Sequence, residues 1–160
     1  MYLWGFVSDP EPTAREIAED LLDRSGRGLT GGDFALFERC FILPKQMETF
    51  DGRRVVSTRE EMRAVYDDVR AYYKSIGMTR VDRYIVDAEF RNPTCIVSAH
   101  QSRVYAGEEL IQQPFDVLSV IEFVGGEWRI RHSEYAITDS SDHNNALVGE
   151  GMKLADRIRG

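Results

Sequence analysis

The chain has 160 residues and a formal net charge of −7 at pH 7, with ordinary hydrophobic and charged fractions of 42% and 29%. We expect one domain over residues 1–160, because this length suits a single core. An acidic chain without clustered Lys and Arg argues against a nucleic-acid-binding protein, and no run approaches the ~20 apolar residues of a membrane span. Cys40 and Cys95 follow no metal or redox spacing, and residues 1–7 lack the basic start of a signal peptide. We therefore expect a cytoplasmic protein.

A capping box at Thr13-Ala-Arg-Glu16 predicts the start of a first helix. We expect Gly26 and Gly28 to end it, because glycine is the usual residue after a helix C-terminus. We expect Asp33 to cap a short helix that carries three phenylalanines, Phe34, Phe37 and Phe41. Asp33 could instead project into a cavity as an acid or base.

A turn dipeptide, Asp51-Gly52, predicts a weak hairpin ahead of the longest helix. A second capping box, Thr58-Arg-Glu-Glu61, opens that helix, and apolar residues recur at helical spacing from Met62 to Ile76. Tyr66 and Tyr73 are seven residues apart and share its apolar stripe. They are either core tyrosines with satisfied hydroxyls or groups that line a pocket.

The hydrophobic period changes to two from residue 79, which predicts strands. The first strand has an apparent apolar face made of Tyr84, Val86, Ala88 and Phe90. A long strand from Thr94 to Ala106 follows, and Gly107-Glu108 predicts the turn into the next strand. In the register that we adopt, His100 pairs with Phe115 and faces the interior. A loop that differs by one residue would replace it with Gln101, Arg103 and Tyr105.

Gly125-Gly126 separates two runs rich in β-branched and aromatic residues, which is a strong hairpin signal. A two-residue turn there pairs Val124 with Glu127, and a regular register then places alternate residues on one face. That face carries Phe115, Ser119, Trp128, His132 and Glu134. It is apolar near the turn and polar farther along, as a small-molecule pocket requires.

The opposite face of this hairpin is half apolar, with Leu118, Val120, Val124 and Tyr135. A half-apolar outer face predicts a covering partner, such as a second copy of the chain. Beyond Ile137 we expect a polar loop and then a C-terminal helix over about residues 145–159.

The order of these elements resembles the nuclear transport factor 2-like superfamily, in its polyketide-cyclase-like (SnoaL-like) branch. The resemblance spans about residues 13–137 and is carried by Gly32-Asp-Phe34, Phe37, Phe41, Thr58 and Gly126-Glu-Trp-Arg-Ile130. It implies an α+β cone of the cystatin-like type, in which a curved, mostly antiparallel sheet wraps a long helix around a cavity. It also implies a frequent sheet-to-sheet homodimer. The superfamily includes cofactor-free isomerases, dehydratases and cyclases beside non-catalytic proteins, and no catalytic constellation carries over residue by residue.

His132 and Glu134 are the predicted catalytic pair. Two residues apart on one strand, their Cα atoms should lie ~6.5–7 Å apart on one face. A histidine that titrates near neutrality and a carboxylate in an apolar pocket suit general acid–base catalysis. The alternative is a buried polar pair that satisfies itself through Ser119 or a water molecule.

The predicted ligand-binding residues are Met62, Tyr66, Tyr73, His100, Phe115, Ser119 and Trp128. We expect a small, largely apolar ligand and no cofactor. We expect no metal, because His100 and His132 would lie ~16 Å apart, too far to share one ion. A non-catalytic ligand-binding protein or a dimeric interaction module is the alternative function.

Overall fold

The computed structural model describes residues 11–149 and 152–153. The helices within these residues are α1 (Ala14–Gly31), α2 (Phe34–Glu38), α3 (Arg59–Ser75) and α4 (Ser141–Val148). The strands are β1 (Phe41–Thr49), β2 (Gly52–Val56), β3 (Arg80–Asn92), β4 (Cys95–Ala106), β5 (Glu109–Leu110), β6 (Phe115–Val124), β7 (Glu127–Tyr135) and β8 (Met152–Lys153).

The strands form one curved, unclosed sheet in the order β3-β4-β6-β7-β1-β2-β8, and β5 pairs with β4. The β1–β7 pair is parallel and the other neighbouring pairs are antiparallel. This long helix with a curved sheet confirms the predicted α+β fold class. None of the described helices combines the length and hydrophobicity needed to cross a bilayer.

Three helix caps form as the sequence predicts. Thr13 and Glu16 satisfy each other's backbone amides at the start of α1, and Thr58 and Glu61 do the same at the start of α3. The Asp33 carboxylate accepts a hydrogen bond from the backbone amide of Leu36, which confirms its role as the cap of α2. These caps fix where α1 and α3 begin and hence which of their faces meet the sheet.

The prediction that α1 ends at its first glycines is wrong, because the helix continues through Gly26 and Gly28 to Gly31. A Cβ at Gly28 would lie only 2.7 Å from the backbone nitrogen of Phe37. The Tyr66 hydroxyl also donates to the Gly28 carbonyl, at 2.8 Å. Gly28 therefore serves close helix packing and not helix termination.

Two other boundaries differ from the prediction. Phe41 begins β1 and does not belong to the aromatic helix, while β1 and β2 form the expected hairpin, with Thr49 opposite Gly52. The segment expected to be a polar loop already contains the first half of α4, capped by Ser140. Farther along the predicted C-terminal helix, the prediction is wrong at Met152–Lys153, which form β8 and pair with β2. Its residues 150–151 and 154–159 lie outside the described residues.

The Gly125-Gly126 hairpin keeps the predicted register only near its turn. Ile121 pairs with Ile130, but the next pair is Val120 with His132, so Arg131 is an extra residue in β7. Such a β-bulge turns every later side chain to the other face of the sheet. The prediction that His132 and Glu134 share a face with Ser119 is therefore wrong.

The register between β4 and β6 also differs from the prediction, but without changing faces. The predicted turn at Gly107-Glu108 forms, yet residues 112–114 leave the ladder and His100 pairs with Val117 instead of Phe115. A shift of two residues preserves the alternation of side chains. His100 therefore lies on the concave face, as the adopted register required.

The supposed apolar face of β3 is not continuous. A register shift at Val86 interrupts the strand, and Tyr84, Val86 and Phe90 are 48%, 59% and 47% exposed. Before the shift, the side chains on the concave face are those of Val81, Arg83 and Ile85, which lie opposite Val104, Ser102 and His100 of β4. Sequence analysis thus missed a basic residue that faces inward.

The close packing at Gly28 predicts unequal effects for two glycine substitutions in α1. Gly28→Ala should lower the free energy of unfolding by about 1–3 kcal/mol, as overpacking typically does. Gly31→Ala, where an added Cβ meets no atom within 4 Å, should raise it by about 0.5–1 kcal/mol. Urea denaturation of both variants measures these changes, and equal effects would contradict the close packing.

Candidate functional site

A cavity lies between the concave face of the sheet and the helices α1, α3 and α4. Its volume is about 100 Å³, several times what one ordered water needs. Side chains of the concave face form rows across β4, β6 and β7. The row nearest the Gly125-Gly126 turn is Ile96, Ile121 and Ile130, and the next is Ser98, Ser119 and Ser133.

The following row carries titratable groups. His100, Val117 and Tyr135 lie side by side on these three strands, with Ile85 of β3 next to His100. One row farther along, Ser102 lies between Arg83 and Phe115. The cavity floor therefore changes from apolar to hydroxyl-bearing to basic along the strands.

Arg83 is half-buried at the place where the cavity adjoins a groove between α1 and β3. Its guanidinium packs against Gly26 of α1, where a Cβ would collide with it. Burial lowers the pKa of Arg83, against the opposing influence of the Tyr73 and Tyr135 hydroxyls. Among the described residues, no carboxylate forms an ion pair with this guanidinium.

Lys45 is a second basic residue of the cavity. It lies on β1 and is only 2% exposed, because the alternation of that strand turns Lys45, Met47 and Thr49 inward. Its Nζ lies 4.0 Å from the centroid of the Phe41 ring. Burial lowers the pKa of Lys45 to about 7.

The described residues that line the cavity include no aspartate and no glutamate. The lining contains Lys45 and Arg83, together with histidines, tyrosines, serines and a majority of apolar side chains. The nearest acidic groups, Glu19 and Asp23, line the adjoining groove and not the cavity. Positive charge inside a lining without carboxylates makes the cavity favourable for an anion.

Two histidines of the cavity are held neutral. Burial and the charge of Arg83 lower the pKa of His100 to about 3, and burial lowers that of His143 to about 4. The His143 ring stacks on Tyr72 at 4.7 Å and meets Phe115 edge-on at 5.4 Å. At neutral pH these imidazoles therefore contribute hydrogen bonds and no charge.

Hydrogen bonds assign the proton of His143. The Gln112 carbonyl oxygen accepts from the Tyr72 hydroxyl at 3.1 Å, so its amide nitrogen donates to Nδ1 of His143 at 3.0 Å. The neutral ring then carries its proton on Nε2, 3.5 Å from the Tyr73 hydroxyl. Because that hydroxyl accepts from His143, its own proton can be donated to a ligand. Burial raises the pKa of Tyr73 to about 12, so it stays protonated.

Most of the predicted ligand-binding residues lie in this cavity: Met62, Tyr66, Tyr73, His100, Phe115 and Ser119. The Tyr66 hydroxyl is already bound to Gly28, so Tyr66 offers only its ring. The predicted pocket position of Trp128 is wrong. Its ring packs against Phe90 and Phe123 at the turn end of the sheet, at 5.9 and 5.2 Å.

The predicted catalytic pair meets outside the cavity. Nε2 of His132 lies 3.0 Å from the Glu134 carboxylate and 3.4 Å from that of Glu48, and its Nδ1 lies 3.1 Å from the Gln46 side-chain oxygen. These groups are on the convex face, so acid–base catalysis inside the cavity by His132 and Glu134 is ruled out by the bulge at Arg131. Among the described residues, one group of three His, Cys, Asp or Glu side chains could hold a metal ion, and it consists of Glu48, His132 and Glu134. Their ligand atoms all lie within 4.8 Å of one another.

Lys45, Arg83 and His143 were not among the predicted site residues, and the prediction that Tyr135 lies on the outer face is wrong. The patterns around the first two contained a usable signal, because each basic residue alternates with inward apolar neighbours, as in Val81-x-Arg83-x-Ile85. Tyr135 reaches the cavity only through the bulge at Arg131, which no periodicity indicates. His143 depends on α4, which was expected to be a loop.

No protein-family model and no curated protein matches this sequence. Among solved structures, a domain of unknown function with a cystatin-like fold from Nostoc punctiforme is 17% identical, with a TM-score of 0.62 over 82% of each chain. An NTF2-like protein from Novosphingobium aromaticivorans is 17% identical, with a TM-score of 0.60 over 84% of this chain and 88% of that one. The fold is that of the nuclear transport factor 2-like proteins.

The protein Aln2 from a Streptomyces species is also similar, at 17% identity and a TM-score of 0.60 over 80% of this chain and 93% of that one. At these identities the likeness confirms the nuclear transport factor 2-like fold alone. The chemistry of the cavity has to be argued from its own residues.

The buried histidines predict a loss of stability in mild acid. Both folded pKa values lie below the ordinary value of 6.5, so the unfolded chain gains protons first as the pH falls below about 6.5. Between pH 7 and pH 5 each imidazole should cost the folded state about 2 kcal/mol. The loss from His143 should level off near pH 4.

The variant His143→Gln isolates one of these contributions. Urea denaturation at pH 7 and pH 5 should show a difference in unfolding free energy that is about 2 kcal/mol smaller than in the wild type. Comparing the two pH values within each variant cancels the cost of the lost hydrogen bonds. An unchanged difference would show that His143 is not held neutral.

Proposed function

We propose that the protein binds a small, largely apolar carboxylic acid in the cavity, with Arg83 as the partner of its carboxylate. The observation that carries this proposal is the cavity lining, which includes the Arg83 guanidinium and no acidic side chain. A guanidinium that is partly removed from water and has no ion-paired carboxylate loses hydration free energy without compensation. A bound carboxylate would offset that cost.

The geometry around Arg83 suits an acid. A guanidinium offers two parallel N–H groups to a carboxylate, and such charge-assisted pairs are among the stronger hydrogen bonds of proteins. The Tyr73 and Tyr135 hydroxyls, which also line the cavity, raise the pKa of Arg83 and so favour its charged form. We place the route of entry in the groove between α1 and β3, which shares Arg83 with the cavity and also contains Arg27, Glu19 and Asp23.

The apolar part of the ligand would lie against the helices and the isoleucine row. Leu21, Met62, Val65, Val69 and Ile121 line this part of the cavity and are 1–4% exposed. The serine row offers hydroxyls for one further polar group. Under this proposal the cofactor-free chemistry implied by the family resemblance belongs to groups inside the cavity. We also propose that the protein belongs to the polyketide-cyclase-like branch and that it is cytoplasmic.

Loss of the Arg83 charge should abolish the preference for acids. The probes are octanoate and 4-phenylbutanoate with their matched alcohols, titrated by calorimetry. Wild-type protein should bind the acids roughly 10–100-fold more tightly than the alcohols, as a charge-assisted hydrogen bond of about 1.5–3 kcal/mol requires. In Arg83→Met this ratio should fall to near one.

Arg80→Met is the matched control, because Arg80 lies on the same strand and its guanidinium pairs with Asp82 on the surface, away from the cavity. This variant should bind both acids like the wild type. Equal affinity of the wild type for acids and alcohols, or acid binding that survives in Arg83→Met, would overturn the proposal.

We also propose that the convex face of the sheet forms a homodimer. Leu118, in the middle of β6, is 39% exposed on this face, and Tyr84 of β3 and Val55 of β2 are exposed farther along the sheet. Apolar side chains spread over a sheet face support a covering partner. A second copy of the chain would bury the same face of both protomers by two-fold symmetry.

Leu118→Lys should therefore shift the protein from dimer to monomer in size-exclusion chromatography with light scattering over a concentration series. The new ammonium lies opposite Glu134 on β7, so the fold should tolerate it. Phe50→Lys is the control, because Phe50 is exposed in the β1–β2 turn and off the sheet face. A wild-type monomer at all concentrations would refute the dimer.

A further inference from the structure

Lys45 is unusual among the residues that line the cavity. It is fully enclosed, yet no carboxylate of the described residues pairs with it, and its ammonium group lies over the Phe41 ring. Methionine or leucine would fill the same space without the cost of burying an amine. Lysine at this position therefore makes the fold less stable than an apolar residue would, which is common for residues of functional sites.

The environment of Lys45 favours a neutral amine. Burial lowers its pKa to about 7, although Cys40 opposes this shift and the face of Phe41 favours the ammonium form by about 0.5–2 kcal/mol. An ordinary lysine is uncharged in only about a thousandth of molecules near pH 7.5, whereas about half or more of the Lys45 side chains would be. A neutral amine enclosed by apolar walls is a nucleophile for carbonyl carbon.

The other ionisable groups of the cavity do not fill this role. His100 and His143 are neutral and weakly basic, and Tyr73 keeps its proton. Arg83 stays charged and is not a nucleophile. Lys45 therefore stands apart, because it alone among them combines nucleophilicity with an acid–base transition near neutral pH.

We propose that the Lys45 amine condenses with a ketone or aldehyde carbonyl of the bound acid to form an imine. The amine nitrogen adds to the carbonyl carbon and one N–H proton moves to the former carbonyl oxygen, which gives a carbinolamine. The second N–H proton then also moves to that oxygen, the C–O bond breaks, and the oxygen leaves as water. The result is one C=N bond and one water molecule, with no change of oxidation state. This inference rests on the proposed binding of an acid by Arg83.

The positions of the two basic residues define the substrate class further. Arg83 lies on β3 and Lys45 on β1, which are four places apart in the order β3-β4-β6-β7-β1. Neighbouring strands are ~4.8 Å apart, so the two backbones are separated by ~19 Å along the sheet, and less across its concave side. Long side chains from both strands close part of that gap. The matching ligand is an oxo acid whose carbonyl lies several carbons away from its carboxylate.

Reductive trapping tests this assignment. Wild-type protein is incubated with 6-oxoheptanoate and sodium cyanoborohydride, and intact and peptide masses are measured. We expect one adduct, with the mass of the acid minus one oxygen, on the peptide that contains Lys45. The chain has only three lysines, Lys45, Lys74 and Lys153, so exposed Lys74 is an internal control. Lys45 should be labelled at least tenfold faster than Lys74.

Two variants and two further probes separate the outcomes. Lys45→Met should lose the adduct while it keeps Arg83-dependent binding of heptanoate, which has no ketone. Lys45→Arg, which keeps a cation, should also give no adduct. Labelling of Lys45 no faster than that of Lys74, in protein that binds heptanoate through Arg83, would overturn the imine and leave the proposed function standing.

The neutral ketone 2-heptanone covers the opposite case. If Lys45 is trapped by 2-heptanone as readily as by 6-oxoheptanoate, and Arg83→Met changes neither rate, then Lys45 is reactive but the proposed acid site has failed. If Arg83→Met slows trapping by the oxo acid tenfold or more and leaves 2-heptanone unaffected, both proposals are supported together.

Discussion

The extra residue at Arg131 decides which side chains of β7 reach the cavity. Its guanidinium donates to the Glu122 carboxylate at 2.7 Å. This hydrogen bond ties the bulged residue to β6, the strand that pairs with β7. The parallel neighbour β1 changes register in the same region, between Phe41 and Gln46, which shows that both sides of β7 accommodate the insertion. Because side chains alternate along a strand, this one residue exchanges His132 for Ser133 on the concave face. The contribution of β7 to the polar floor, Ser133 and Tyr135, depends on this bulge.

Much of the fold could be predicted from local chemistry. The capping boxes at Thr13 and Thr58, and the turns at Gly107 and Gly125, each act within a few residues, so the sequence shows them directly. The face that side chains take after a bulge cannot be predicted in this way. It depends on pairing with neighbouring strands, which no periodicity reveals. His100 was placed correctly because its register error was two residues, an even number. His132 was misplaced because its error was one.

The cavity combines apolar walls with uncompensated positive charge. Protein interiors usually pair buried cations with carboxylates, and the acidic residues of this chain are abundant enough to supply such partners. Those among the described residues instead lie outside the cavity lining, where Asp82 pairs with Arg80 on the surface and Asp23 pairs with Arg27 in the groove beside Arg83. A cavity whose lining keeps Arg83 without an acidic side chain, in a chain of net negative charge, supports our proposal that an anion binds there. The neutral state of His100, imposed partly by Arg83, follows from the same electrostatics.

The glycines of α1 connect the fold to this site. A sequence pattern with Gly26 and Gly28 inside a helix normally indicates its end, because glycine weakens a helix interior by about 1 kcal/mol relative to alanine. Here each glycine removes a side chain that would occupy space needed by another element. Gly28 allows the close approach of Phe37, and Gly26 allows the Arg83 guanidinium to lie against the helix. The helix accepts a lower intrinsic stability so that α2 can pack closely and a cation can lie at the mouth of the cavity. Gly26, one of the two residues that made the end of α1 hard to predict, therefore makes room for the guanidinium that we propose as the ligand's partner.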